Sequence, residues 1–173
     1  EVYKKLAEAR AALAELKGRL PVIPNPLMLI NTLVLQEAKD SSTIENIFTT
    51  NDELYKAFSS SGSNINSSTK EVLRYREALW SAFAKLKSPT DYSVYLAVEI
   101  FKTITNKDEG IRTVQVYIGS SNSVVYTPPE HGNILTEKLN NWFDAALNNN
   151  SIDPLIKMAM LHYQFEAIHP FTD

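Results

Sequence analysis

Apolar residues recur at helical spacing along nearly the whole chain, and the spacing drops to two residues in a single place. There Val114, Val116 and Ile118 alternate with Gln115 and Tyr117, and Gly119-Ser120-Ser121-Asn122 leads into Val124-Val125-Tyr126. Two short alternating runs joined by a Gly/Ser/Asn turn read as one β-hairpin, Val114 to Ile118 with Val124 to Tyr126, ended by Pro128-Pro129. One hairpin is not a stable sheet by itself, so it lies on the helices or stands away from them as a flap. The expected class is all-α, a helical bundle with one β-hairpin flap. On spacing alone the hairpin is either a connector or a free edge to which an extended peptide adds as a further strand.

The helices around it follow from period and punctuation. Tyr3 to Lys17 carries Leu6, Leu13 and Leu16 and is expected to close at Gly18. Pro21, Pro24 and Pro26 make an extended connector, because each removes a donor and pushes its predecessor out of the α region. Leu27 to Lys39 resumes as a helix, with Asp40-Ser41-Ser42 interrupting or following it. Asn51 to Phe58 is a short helix and Ser59 to Ser68 a polar loop. Thr69 caps a long helix running to about Lys87, carrying Val72, Tyr75, Leu79, Ala82, Phe83 and Leu86, and Pro89 stops it. Asp91 to Thr105, Leu135 to Asn148 and Pro154 to Ile168 complete the set, the last with Asp153 as its cap and Pro154 in its first turn.

Composition removes several chemistries. The chain has no cysteine, which excludes disulfides, thiolate catalysis and cysteine-ligated zinc. Five glycines leave no material for a glycine-rich phosphate loop within these residues. A net charge of −3 excludes a strongly basic nucleic-acid footprint over the whole domain. No apolar run of about 18 residues occurs, so the expectation is a cytoplasmic protein with no membrane partner. The chain begins at Glu1 and stops just after His169-Pro170-Phe171-Thr172, an extended segment ill-suited to end a domain. Both ends are therefore expected to be cuts in a longer protein.

Chemistry concentrates at the end of the last helix. His162, Glu166 and His169 stand at i, i+4 and i+7, one face of a helix that persists that far. That spacing suits a divalent metal, and equally an ordinary hydrogen-bonded His–Glu pair. His169 precedes Pro170, which places it at the helix end with its direction altered. An imidazole there, with an ordinary pKa of about 6.5, suits a general base at neutral pH. Asp173, four residues on, supplies the hard oxygen that magnesium prefers. A base and a magnesium ligand on one loop are what transfer from a nucleoside triphosphate to a hydroxyl requires, although a His followed by an Asp is also a common structural pairing.

Gln164-Phe165-Glu166-Ala167-Ile168-His169-Pro170-Phe171-Thr172-Asp173 resembles the opening of the signature loop of the Fic family, in which His-Pro-Phe-x-Asp/Glu leads to Gly-Asn-Gly-Arg and a further Arg. Gly110-Ile111-Arg112-Thr113-Val114-Gln115-Val116-Tyr117-Ile118-Gly119 resembles that family's approach to its hairpin flap, and Tyr126-Thr127-Pro128-Pro129 the exit. Ile23-Pro24-Asn25-Pro26 before a Leu-rich helix resembles the N-terminal part of one subgroup. The resemblance divides the chain into an N-terminal helical region, 1–60, and a core, 61–173, that lacks the glycine-rich half of the signature.

What the resemblance implies is a protein adenylyltransferase. His169 would take a proton from a Ser, Thr or Tyr hydroxyl of a target protein, and Asp173 would hold magnesium on ATP. Val114, Gln115, Val116, Tyr117, Ile118, Val124, Val125 and Tyr126 would align the target, and Pro170 and Phe171 would anchor the loop. Glu45, His169 and Asp173 would border the nucleotide. Ser41-Ser42-Thr43-Ile44-Glu45-Asn46 fits the family's inhibitory pattern Ser/Thr-x-x-x-Glu-Gly/Asn, with Ser41, Glu45 and Asn46 at its fixed positions. Read without the family, Ser42-x-x-Glu45 is also a capping box for a helix starting after Ser42. The two readings put Glu45 in the third helical position or near a C-terminus capped by Asn46. Gly-Asn-Gly-Arg would cradle phosphates on backbone N–H groups, so residues 1–173 alone are expected neither to bind ATP well nor to transfer AMP. Alternatives are AMP removal, transfer of another phosphate-containing group, or a regulatory module without catalysis. Self-modification and a homodimer stay open, and nucleic acid would be reached only through an extension beyond residue 173.

Overall fold

In the computed structural model, residues 1–59, 65–88, 91–120, 123–148 and 151–172 are described. Expectations resting on Pro89, on Ser121-Asn122 of the turn and on Asp173 fall outside them. The described residues form seven α-helices and one antiparallel hairpin: α1 Val2–Arg19, α2 Pro26–Ile44, α3 Asn51–Ser59, α4 Ser67–Lys85, α5 Val94–Thr105, β1 Ile118–Ser120, β2 Ser123–Tyr126, α6 Asn133–Asn148 and α7 Pro154–Ile168. The class is all-α with one hairpin, as the period change requires. No helix among the described residues is long and apolar enough to cross a membrane. The chain divides into two compact units, Glu1–Ser81 with Thr103–Thr105, and Ala82–Lys102 with Asn106–Asp173.

In the first unit α1 runs through Gly18 to Arg19 instead of closing there, and a 3-10 turn over Leu20–Val22 follows. The helix stops where Pro21 withdraws a backbone donor, so Gly18 is not needed as a stop. α2 starts with Asn25 as cap, its side chain accepting from the Met28 N–H at 3.1 Å, and Pro26 in the first turn. It continues past Lys39 through Asp40-Ser41-Ser42. Those polar side chains are engaged along the helix instead of capping a new one: Gln36 Nε2 donates to the Asp40 carboxylate, Ser41 Oγ to Glu37 Oε1 at 2.9 Å and Thr43 Oγ1 to the Lys39 carbonyl at 2.8 Å. The unit's core is Ala38 of α2, Leu54 of α3 and Val72 of α4, flanked by Leu35, Leu73 and Tyr75.

The capping box lies eight residues further on than the sequence pattern put it. Glu53 Oε2 accepts from the Thr50 N–H at 2.9 Å and the Glu53 N–H donates to Thr50 Oγ1 at 3.2 Å, the reciprocal pair that opens α3. Asn66 Oδ1 accepts from the Thr69 N–H at 2.7 Å and is the cap of α4. Thr69 is therefore inside the helix, buried, with its hydroxyl 2.6 Å from that of Thr49.

The second unit packs α6 against α7, and the Trp142 indole N–H donates to the Leu161 carbonyl at 2.7 Å. Leu135 and Leu139 of α6 are buried, as are Leu96 and Phe101 of α5 and Ile168 of α7. α5 is capped by Ser93 and ends at Asn106 in the left-handed region. The hairpin is shorter than its alternating pattern: Ile118 pairs with Tyr126, Gly119 with Val124 and Ser120 with Ser123, with a bulge between Ile118 and Gly119. Val114 to Tyr117 precede the ladder. Continuing the register backwards would set Val116 and Gln115 against Pro128 and Pro129, which have no N–H to donate, so pairing cannot extend. Gly119 has φ +150, and a Cβ there would sit 2.2 Å from the Ser123 carbonyl oxygen, so the bulge requires glycine.

Candidate functional site

α7 is opened by Asp153, whose Oδ1 accepts from the Leu155 N–H at 2.9 Å, and closed by His169. His169 has φ 48 and ψ 67, the left-handed region, and its N–H donates to the Phe165 carbonyl at 2.9 Å. Pro170 bars the preceding residue from the α region, and histidine is among the residues that accept the left-handed alternative. The His169 side chain thus leaves the helical row that holds His162 and Glu166, both exposed. The three are not gathered, and no cluster of three His, Cys, Asp or Glu among the described residues could hold a metal ion. His162 instead lines a cavity of about 520 Å³ with Trp142, Met158 and Leu161.

Beyond His169 the loop turns into the protein. Phe171 is buried and its ring stacks on Phe101 with centroids 4.3 Å apart and planes 5° from parallel. Pro170 is buried too, and Thr172 Oγ1 donates to Glu109 Oε2 at 2.6 Å. Asp173 lies outside the described residues.

A helix leaves its last carbonyls without intrahelical partners, and the usual closure borrows two N–H groups from the residues just past the end. At α7 the second of these residues is Pro170, which has none. The carbonyls from Ala167 onward, which that closure does not reach, take donors from the segment that enters and leaves the hairpin. Tyr126 Oη donates to the Ala167 carbonyl at 2.9 Å, Arg112 Nη2 reaches the Ile168 carbonyl at 3.5 Å, Arg112 Nε donates to the His169 carbonyl at 2.7 Å and the Arg112 N–H to the Pro170 carbonyl at 2.9 Å. Four consecutive carbonyls are served by two residues. The same guanidinium holds both stems of the hairpin, through the Val114 carbonyl at 3.1 Å and the Pro129 carbonyl. Gln115 Nε2 closes the stem further by donating to the Pro128 carbonyl at 3.0 Å. Arg112 is 3% exposed, and burial lowers its pKa from the ordinary guanidinium value. Sequence reasoning assigned Arg112 nothing. The available signal was a lone cation between Ile111 and Val114, where a charge that is buried persists only if it is fully bonded.

Val114, Tyr117, Val124, Val125 and Tyr126 are exposed, while Gln115, Val116 and Ile118 are half-buried. In the first unit Ser41, Glu45 and Asn46 stand at the end of α2. Glu45 is the closing residue of that helix, exposed, and Asn46 follows with φ 62. The Asn46 N–H donates to the Thr43 carbonyl at 3.1 Å and the Ile47 N–H to the Ser42 carbonyl at 3.0 Å, the paired closure of a Schellman motif. Ser42 is therefore in the last turn of a helix and does not cap a new one; of the two placements open for Glu45, the C-terminal one is found.

Residues 3–84 match the family model described as Fic/DOC family N-terminal. That match, over just under half of the chain, supports a Fic family protein, from a family whose members are in general transferases.

Proposed function

We propose that the protein is an adenylyltransferase that moves AMP from ATP to a Ser, Thr or Tyr hydroxyl of a target protein, and that Glu45 restrains it. The observation that carries this reading is the setting of His169. It is lifted out of α7 into a left-handed stop, on a loop fixed by buried Phe171 and tied to the stems of an exposed hairpin, in a chain whose N-terminal half matches a transferase family.

His169 would accept the hydroxyl proton as that oxygen forms its bond to the α-phosphorus of ATP. The bond from the α-phosphorus to the bridging oxygen breaks, and pyrophosphate leaves with the electron pair. Magnesium would neutralise the phosphates. The carboxylate assigned to it is Asp173 alone, and the described residues supply no metal cluster of their own, so no step here runs through the ion. Both outer edges of the hairpin are unpaired among the described residues, which suits main-chain pairing with an extended target segment. Glu45 would act by competition, since a carboxylate in an arginine fork takes the bidentate donors that a γ-phosphate needs.

The test is intact-mass spectrometry of the full-length protein with ATP and magnesium. Glu45→Gly should raise AMP incorporation, into itself or a target, at least tenfold, and adding His169→Ala should abolish it. No AMP adduct in the Glu45→Gly protein would remove the transferase reading.

A further inference from the structure

We propose that Arg112 is the positioning residue for His169, coupling the hairpin to the carbonyl end of α7 so that a chain paired on the hairpin edge and the imidazole move as one body. The step to AMP transfer rests on the proposed function; the coupling itself rests on geometry alone. One guanidinium bonds the carbonyls of Ile168 and His169 on one side and of Val114 and Pro129 on the other, while the Arg112 N–H holds Pro170. Tyr126, on the hairpin's second strand, adds a sixth tie at Ala167. The local closure of α7, the His169 N–H on the Phe165 carbonyl, reaches none of these carbonyls, so nothing in α7 itself replaces the Arg112 and Tyr126 donors. The backbone at His169 is in a region that a non-glycine residue keeps only when its surroundings hold it there. Displacing either stem therefore displaces the donor to which the His169 carbonyl is bonded. Engaging a target strand on the hairpin would complete the placement of the base, so a hydroxyl that does not arrive on a pairing segment would be modified slowly even at high concentration.

Two variants test this in the full-length protein. Arg112→Lys keeps a cation but replaces a fork of five N–H donors by a single ammonium. Tyr126→Phe removes one surface hydroxyl and leaves the core untouched. The first readout needs no activity: the ring resonances of ¹⁵N-labelled His169 and the exchange rate of its amide. Both variants should shift the ring signals and speed amide exchange at His169 by tenfold or more, with α1 to α3 unaffected. The second readout is kinetic, in the Glu45→Gly background: Arg112→Lys should lower kcat by ten- to a hundredfold with KM for ATP within twofold, at a melting temperature within a few degrees of the parent. Unchanged His169 signals in Tyr126→Phe, or a kcat loss that only tracks lost folded protein, would overturn the proposal. Absence of AMP transfer in the parent would remove the transferase reading, and the resonance measurement would still decide the coupling.

Discussion

Replacing Phe171 measures how firmly the loop after His169 is held. The ring is 9% exposed, stacked on Phe101 at 4.3 Å and tilted against Phe165 at 6.3 Å. Truncating a buried Phe to Ala costs about 3–5 kcal/mol, the lost transfer energy plus the cavity left behind. Phe171 sits on a short loop that can partly collapse, so the lower end, about 3 kcal/mol, applies. Phe171→Leu keeps most of the buried area and forfeits mainly the ring–ring preference, about 0.5–1.5 kcal/mol. At about 2–4 °C per kcal/mol for a chain of this size, the melting points should fall by about 6–12 °C and about 1–6 °C respectively. Urea unfolding followed by tryptophan fluorescence supplies the free energies, with Trp142 reporting from 5.2 Å beside Phe165. A cycle of Phe101→Leu, Phe171→Leu and the double variant isolates the stacking energy. The reasoning fails if Phe171→Ala costs under about 1 kcal/mol, or if Leu and Ala cost the same, because buried area would then not be what fixes the loop.

Thr50→Ala should lose about 1 kcal/mol through the α3 cap, read from the urea midpoint; an unchanged midpoint counts against the reciprocal box. The Thr50 N–H, then the Thr50 hydroxyl, hold the Glu53 carboxyl below its ordinary value of 4.5. A depressed folded pKa means that its stabilisation is present above 4.5 and is lost as pH falls through the folded value, so wild type and Glu53→Gln should differ at neutral pH and converge in acid. A difference that stays constant with pH would contradict this. Gly119→Ala forces a Cβ against the Ser123 carbonyl, and should erase cross-strand NMR contacts between Ile118 and Tyr126 while leaving helical circular dichroism intact; persistence of those contacts would show that the bulge tolerates a side chain.

The elements were legible because their signals are local. Helical spacing and punctuation together located the seven α-helices of the described residues, and the single change of period located the hairpin. Asp153-Pro154 marked the start of α7, since a cap needs only a side-chain acceptor within three residues, whereas Pro26, expected in the extended connector, is the first residue of α2 under the Asn25 cap. Boundaries failed where two local patterns competed. Ser42-x-x-Glu45 and Thr50-x-x-Glu53 have the same capping-box form, and only the second opens a helix. The first is overruled because Ser41 and Thr43 are bonded back along α2 and Asn46 provides a left-handed stop. The strand pattern overran its ladder because alternation describes a face, whereas pairing needs a partner with N–H groups, and Pro128-Pro129 has none. Arg112 was invisible for a further reason: its acceptors at residues 168 and 169 lie 56 and 57 positions away.

The two helix ends that carry the candidate chemistry are closed by opposite means. α2 closes on itself: Asn46 and Ile47 return their own N–H groups to Thr43 and Ser42, so the place of Glu45 relative to its helix is set within six residues. α7 closes locally only at the Phe165 carbonyl, through the His169 N–H, and its carbonyls from Ala167 onward depend on Tyr126 and Arg112. A locally closed end forms whenever its helix forms. An end closed by remote donors is fixed only after a long loop has been brought in, and the entropy of that closure is offset only when the contacts are made. Glu45 is therefore held by secondary structure and His169 by tertiary structure. Loosening of the hairpin stems would disturb His169 while α7 stayed helical, and leave Glu45 fixed on α2.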